Sequence, residues 1–354
     1  MILLRKIVKN LLKAFSIIVA ICLLLSYLSV FISPAKFWII AFFGLFFQVF
    51  LLLNIFFLIF WIITKKKFFI AHLIVLLLGI PYLGSFVQLR GKPDIINAKS
   101  IKIISYNIHT FNTTSGENSS KEIADFLNNE SADIVCLQEF FTYIHKQPRE
   151  EDFIRLLKNL PHNHILYNVV RTGKNSSSGL AIFSRFPIVG KGEFRFPKSS
   201  NGAIYADIDV NGKIIRVYNN HLQSNRFNLS KTLKEDKRMD ELVDASSKIK
   251  AAFVKRSEQV ERISDHIKSS PYPVAVCGDF NDTPVSYTYR TMKGELNDAF
   301  KTAGRGIPST YRGFFPSFRI DYIFYDKSMK ANNFEVLSDI EFSDHYPLMA
   351  TLEL

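Results

Sequence analysis

The chain has 354 residues, enough for one or two domains with a large buried core, and 48% of them are hydrophobic, including 33 phenylalanines. The formal net charge is +12, but ten basic residues (Arg5, Lys6, Lys9, Lys13, Lys36, Lys65, Lys66, Lys67, Arg90, Lys92) precede the first acidic residue, Asp94, and the remainder holds 34 basic residues against 32 acidic ones. That balance argues against a broad basic nucleic-acid surface, and three cysteines at wide, irregular spacing (Cys22, Cys136, Cys277) exclude a disulfide framework or a cysteine zinc motif.

Residues 1–92 read as a membrane anchor. Three apolar stretches, 14–32, 37–63 and 68–89, contain no Asp, Glu, Lys or Arg, and each has the roughly 20 residues that a bilayer crossing needs. Ser33-Pro34-Ala35-Lys36 and Thr64-Lys65-Lys66-Lys67 separate them. The first stretch lacks an A-x-A site and two more follow it, which favours a retained anchor over a cleaved leader. Lys and Arg concentrate in the N-terminal tail and in the second loop, so these are expected on the inside. Three crossings then place everything after Leu89 outside the cytoplasm, an arrangement that suits a bacterial cytoplasmic membrane. The expected partner of this part is the lipid bilayer, and no obligate protein partner is expected.

A linker, 93–98, leads into a globular domain, 99–354. Residues 101–105, 134–137, 180–183, 203–210, 214–219, 274–277, 320–325 and 348–354 read as strands, being short, apolar or alternating, and bounded by Gly, Pro or Asn. Asn211-Gly212 between two of them is a hairpin signal. Residues 120–129, 151–160 and about 229–269 read as helices. Interleaved strands and helices give a mixed α/β class, and Cys136 and Cys277, in apolar strand-like runs, are expected to be buried and inert.

Polar residues recur where these strands run out. Asn107 follows Ile-Ile-Ser-Tyr, Glu139 follows Val-Cys-Leu-Gln, and His221 follows Val-Tyr-Asn-Asn. Asp279 and Asn281 follow Val-Cys-Gly, Asp321 lies within Arg-Ile-Asp-Tyr-Ile, and Asp344-His345 precede the last strand. Enzymes of this class build sites at strand ends, which are rigid and open to solvent. The residue types suit a hard cation such as Mg²⁺ with a phosphoester. Glu139 and Asp344 are suitable ligands, with Asn107 close by. In the Asp279-x-Asn281 pair one side chain can orient the attacking water while the other donates to phosphate. His221 and His345 can stabilise charge on the phosphoryl oxygens, and Asp321 could fix the tautomer of His345.

In order, Ser-Tyr-Asn-Ile, Leu-Gln-Glu-Phe, Gly-Leu-Ala-Ile-Phe-Ser-Arg, Asn-His-Leu, Gly-Asp-Phe-Asn-Asp-Thr-Pro, Arg-Ile-Asp-Tyr-Ile and Ser-Asp-His-Tyr-Pro resemble the endonuclease/exonuclease/phosphatase superfamily across residues 99–354. Singly each motif is weak; seven in this order carry the resemblance. It implies a single domain with a four-layer α/β/β/α sandwich of two mixed sheets. It implies Glu139 as the main Mg²⁺ ligand (Mn²⁺ as a substitute), with Asn107 and Asp344 on the metal side. It further implies Asp279 activating water, Asn281, His221 and His345 on phosphate, and Asp321 orienting His345.

Other polar residues carry less signal. His109, Arg171 and Lys174 read as solvated loop positions, and His145, His162, His164 and His266 as surface residues. Arg319 could be structural or catalytic. The charged run around 229–256 reads as a solvated amphipathic helix. The function expected is a membrane-anchored, Mg²⁺-dependent phosphoesterase. A lipid or headgroup phosphoester is favoured as substrate, because of the anchor, the near-neutral domain and Asn-His-Leu-Gln at 220–223, which looks more like the sphingomyelinase and deoxyribonuclease-I branches. The alternative is a surface or periplasmic endonuclease or exonuclease acting on DNA or RNA.

Overall fold

The computed structural model describes every residue except 1, 90, 92–99, 144–149, 172–175, 198, 225–238 and 313–318. The expected linker, His145, Lys174 and most of the charged run therefore lie outside the described residues, as does the side chain of Arg171.

The N-terminal part departs from three regular spans. Helix α1 (Ile2–Ser29) is long and apolar enough to cross a bilayer. After the short α2 (Pro34–Phe37), the second stretch is two helices, α3 (Ile39–Leu45) and α4 (Phe47–Ile63), bent by 65° at Phe46, so it crosses only as a broken span. The third yields only the ten-residue α5 (Phe69–Leu78) and the single turn α6 (Ile80–Leu83). Gly79 and Pro81 interrupt it: proline cannot donate the hydrogen bond that would continue the helix. Hydropathy measures apolar length, not helix continuity, and here the two differ.

The remainder is built on twelve strands: β1 (Ser100–Asn107), β2 (Ile134–Tyr143), β3 (His162–Arg171), β4 (Ser176–Ser184), β5 (Ile188–Arg195), β6 (Gly202–Val210), β7 (Lys213–His221), β8 (Val274–Asp279), β9 (Asn297–Asp298), β10 (Asp321–Tyr325), β11 (Lys330–Val336) and β12 (Leu348–Glu353). They form two six-stranded sheets, ordered β11-β12-β1-β2-β4-β3 and β5-β6-β7-β8-β10-β9. Both are mixed: β1–β2 and β7–β8 are parallel pairs among antiparallel ones.

Side chains alternate across each strand, and here both faces are covered. Ile101, Ile103, Ile134, Cys136 and Ile182 of the first sheet meet Ile204, Ile215, Ala275, Cys277 and Ile323 of the second in the central core. Ile104, Tyr106 and Val135 point outward onto Ile123, Phe126 and Phe153 of α7 (Ser120–Asn129) and α8 (Glu150–Leu156). Val276, Tyr322 and Phe324 pack on Val260, Ile263 and Tyr289 of α9 (Met239–Lys268) and α10 (Tyr287–Lys293). The result is the expected four-layer α/β/β/α sandwich. Both cysteines are free and buried, and Asn211 and Gly212 both have positive φ (55° and 90°), as the β6–β7 hairpin requires.

Candidate active site

Strand register decides where the polar residues land. Parallel pairing sets His221 beside Asp279, and the antiparallel β8–β10 pair sets Asp279 beside Asp321. In the other sheet, Asn107 is registered against Gln138, next to Glu139. The lead into β12 joins the two sets: Ser343 Oγ donates to Asn107 O at 2.7 Å, and His345 N donates to Ser343 Oγ at 3.2 Å.

Asp279, buried, is the hub. Its Oδ1 accepts from Asn281 N at 2.8 Å, and its Oδ2 accepts from Asn107 Nδ2 and Asn281 Nδ2, each at 3.1 Å. The same Oδ2 is faced by His221 Nε2 at 3.7 Å and His345 Nε2 at 3.9 Å. These separations exceed hydrogen-bond length, so neither imidazole Nε2 is hydrogen-bonded to the carboxylate. Burial, and then the charge of Asp321, push the Asp279 carboxyl up to about 6, against the opposing pull of His345 and His221.

His345 and Asp321 form a dyad, with His345 Nδ1 at 3.0 and 3.2 Å from the two Asp321 oxygens. Burial by itself would lower the His345 pKa, but the Asp321 and Asp279 carboxylates outweigh it and raise it to about 10. His345 is therefore an imidazolium at neutral pH, with Nε2–H directed away from Asp321.

Glu139 occupies a bulge, where the β2–β4 register shifts between Gln138 and Phe140, and its φ is +54°. A bulge of this kind re-aims one side chain, and the carboxylate is turned to within 3.8 Å of His221 Nε2. Asn281 also has positive φ, 53°. Left-handed conformations at residues other than glycine cost free energy and cluster at functional sites.

All eight residues expected at the site thus surround one cleft: Asn107, Glu139, His221, Asp279, Asn281, Asp321, Asp344 and His345. Some other expectations need correction. His109 keeps a partly exposed side chain but also borders the site: its amide donates to Asn107 Oδ1 at 3.1 Å and its ring lies 3.9 Å from Asp344. His164 is buried and bonded to Gly192 O, and His266 is half-buried among Phe194, Tyr205 and Tyr218. Arg319 is structural, since its guanidinium is buried against Asp298 at 2.5 and 2.8 Å.

Two residues escaped sequence reasoning. Tyr311 stands edge-on to the His345 ring, 5.0 Å between centroids. Burial, and then the charges of Asp344, Asp279 and Glu139, raise its phenol pKa. Arg256 of α9, buried, supports the loop after β8. An aromatic in a Ser/Thr/Arg context and an arginine in a charged helix carry no distinctive signal.

Among the described residues, Asp279, Asp321 and His345 offer atoms within 4.8 Å of one another that could hold a metal. His345 and Asp321 already hydrogen-bond each other, however. The remaining donors, the carboxylates of Glu139 and Asp344 with the Asn107 amide oxygen, are the hard oxygen set that a divalent cation takes. Glu139 lies 3.8 Å from His221, and Asp344 lies 3.9 Å from His109, whose amide donates to Asn107 Oδ1, so the donors line one site and their chemistry fits such an ion.

Comparison with known proteins agrees with this geometry. The profile of the Endonuclease/Exonuclease/phosphatase family matches residues 104–345, and a profile described as a domain of unknown function matches 9–86. A sphingomyelinase C of Bacillus cereus is 26% identical over 348 aligned positions, covering 78% of this chain and 95% of that protein. An endonuclease/exonuclease/phosphatase of Beutenbergia cavernae superposes with TM-score 0.55 at 21% identity, covering 72% of each chain. The mannosyl-6-phosphatase of Bacteroides thetaiotaomicron gives 0.51 at 20% identity, covering 72% of this chain and all of that one. These structures share the fold. The chain belongs to the endonuclease/exonuclease/phosphatase family, whose members are phosphoester hydrolases.

Proposed function

We propose that this protein is a membrane-anchored, Mg²⁺-dependent phosphoesterase that hydrolyses a lipid phosphoester at its headgroup. The observation that carries the reaction class is the convergence of His221, His345, Asn107 and Asn281 on one carboxylate oxygen of Asp279. Asp279 accepts a proton from the attacking water, a task that suits a carboxyl with pKa about 6. His345 and His221 donate to the phosphoryl oxygens where charge builds, and Asn281, whose amide donates to Leu222 O and Asp279 Oδ2, joins them by exchanging the latter bond for phosphate. Asp321 holds His345 in its protonated, oriented form. Glu139, Asn107 and Asp344 would hold Mg²⁺, which neutralises phosphate charge and polarises the bond to be cleaved. The lipid reading is supported by the apolar α1, by the seating of the N-terminal helices on this domain, and by the likeness to a protein named sphingomyelinase C. The charge pattern supports an extracytoplasmic placement of the cleft.

The test uses the full chain with Mg²⁺ on sphingomyelin vesicles, other phospholipid vesicles, plasmid DNA and single-stranded RNA, with Asp279→Ala and His345→Ala as controls. Turnover of one lipid class, abolished in both variants and by chelation, is expected. Its rate should change little between about 50 and 200 mM salt, a range over which a nuclease with many phosphate contacts loses orders of magnitude in affinity. Hydrolysis of DNA or RNA alone would replace the lipid by a nucleic acid and leave the site assignment standing.

A further inference from the structure

The segment that carries Asn281 is gripped from two sides. From α9, the fully buried Arg256 donates to the carbonyl oxygens of Asn281 and Gln223, the latter at 2.9 Å, and its Nε lies 3.3 Å from Asp282 Oδ2. From the apolar N-terminal part, the Ser29 hydroxyl is shared between Ser26 O at 2.7 Å and Val285 O at 3.2 Å, and Thr283 Oγ1 donates to Gly44 O at 3.4 Å. Val285 is itself buried in one apolar cluster with Leu23, Tyr27 and Phe47.

Gly44 permits this contact. A Cβ built there would fall on both Ser29 Oγ and Val285 O, far inside van der Waals separation. Further contacts reinforce the joint: Phe42 is edge-on to Phe253 at 5.4 Å, Ser33 Oγ donates to Glu261 at 3.1 Å, and the Arg290 guanidinium sits 4.2 Å from the centre of the Phe31 ring. The amides of Gln88 and Gly306 exchange hydrogen bonds with each other's carbonyls at 3.0 and 2.7 Å. Four residue steps separate Asn281 from Val285, and an extended chain advances at most ~3.6 Å per residue. The Cα of Asn281 therefore lies within about 14 Å of the Cα of Val285, the residue that Ser29 and Gly44 contact.

We propose that the N-terminal helices are a working part of the active site, not a tether. Gly44 and Ser29 press on Thr283–Val285 while Arg256 holds Asn281 and Gln223 from the opposite side, and together they fix the Asn281 side chain over Asp279. Gly44, Ser29 and Arg256 are positioning residues that act through Asn281. This rests on the assignment of Asn281 to phosphate made above.

The experiment is a double-mutant cycle in the full chain in detergent micelles, read with a water-soluble phosphodiester so that lipid access does not enter. Gly44→Val is expected to lower kcat at least tenfold with KM for the soluble substrate changed less. Gly44→Ala should fall between it and the parent chain. Ser29→Ala, a milder change, should lower kcat by a few-fold, with recovery in Ser29→Thr. In an Asn281→Ala background, both Gly44→Val and Ser29→Ala should cause little further loss, because the group they position is gone. Fully additive losses would overturn the proposal, and so would full activity in Gly44→Val. If Gly44→Val does not fold, the Ser29→Ala cycle decides by the same criterion. If Asn281→Ala alone retains full activity, the phosphate assignment fails, an outcome distinct from additivity.

Discussion

At the scale of residues, the site is organised around two neighbouring carboxyl groups. Asp279 and Asp321 are registered side by side on adjacent strands, and the Asp321 charge disfavours ionisation of the buried Asp279. Asp321 resolves the conflict by pairing with His345, whose cation then faces the space above Asp279. The proposed mechanism uses Asp279 deprotonated and His345 protonated. The rate should therefore rise as pH climbs through about 6 and fall as it climbs through about 10, giving a bell-shaped kcat/KM profile. The Asp321 charge raises both groups, so Asp321→Asn should move both limbs to lower pH, measured as the two inflections of that profile. Asp279→Ala should cost about 10²–10⁴ in kcat, the range for removing a positioned general base, with thermal unfolding showing the fold retained.

At the scale of elements, register and irregularity do the placing. The bulge at Glu139 turns a carboxylate into the cleft that a regular strand would leave pointing elsewhere. Glu139→Gln should raise the Mg²⁺ concentration for half-maximal rate by at least about tenfold, since even partners outside the ligand set cost 10–100-fold at metal sites; a metal titration checks this. Away from the cleft, Arg319 and Asp298 form a buried ion pair at 2%/0% side-chain exposure, and Asp298 also accepts from Tyr289 Oη at 2.7 Å and Phe300 N at 3.0 Å. Arg319→Met leaves that carboxylate uncompensated, and should cost on the order of 3–5 kcal/mol in denaturant unfolding. The strands that pattern analysis found, β1, β2, β4, β6, β7, β8, β10 and β12, are the interior ones of both sheets. Those it missed, β3, β5, β9 and β11, are the four edges. An interior strand covered on both faces reads as a continuous apolar run. An edge strand such as β5, with partial exposure at alternate positions, looks like a polar loop in sequence.

At the scale of the whole molecule, the N-terminal helices and the sandwich meet over a built interface. Removing residues 1–92 should expose Val285 and Phe253 and loosen the Asn281 loop. The truncated domain is therefore expected to have a lower kcat on a soluble phosphodiester than the full chain, and a lower unfolding midpoint. The full chain should stay with the membrane fraction through washes at high salt, because the proposed attachment is apolar and screening does not weaken it; immunoblotting of the fractions checks this.

The sequence by itself determined the residues of the cleft, the interior strands and the apolar character of the first 89 residues. The signals for these are local: a short apolar run, a polar residue at its end, an uncharged stretch of sufficient length. Only the tertiary structure decided which of these residues touch. The meeting of Asn107 with Asp279, the approach of Tyr311 to His345 and the grip of Arg256 on Asn281 join residues 172, 34 and 25 positions apart. The break of the second apolar stretch at Phe46 and the seating of Gly44 against Val285 belong to the same class. Such contacts depend on packing between distant segments, and no local pattern encodes them.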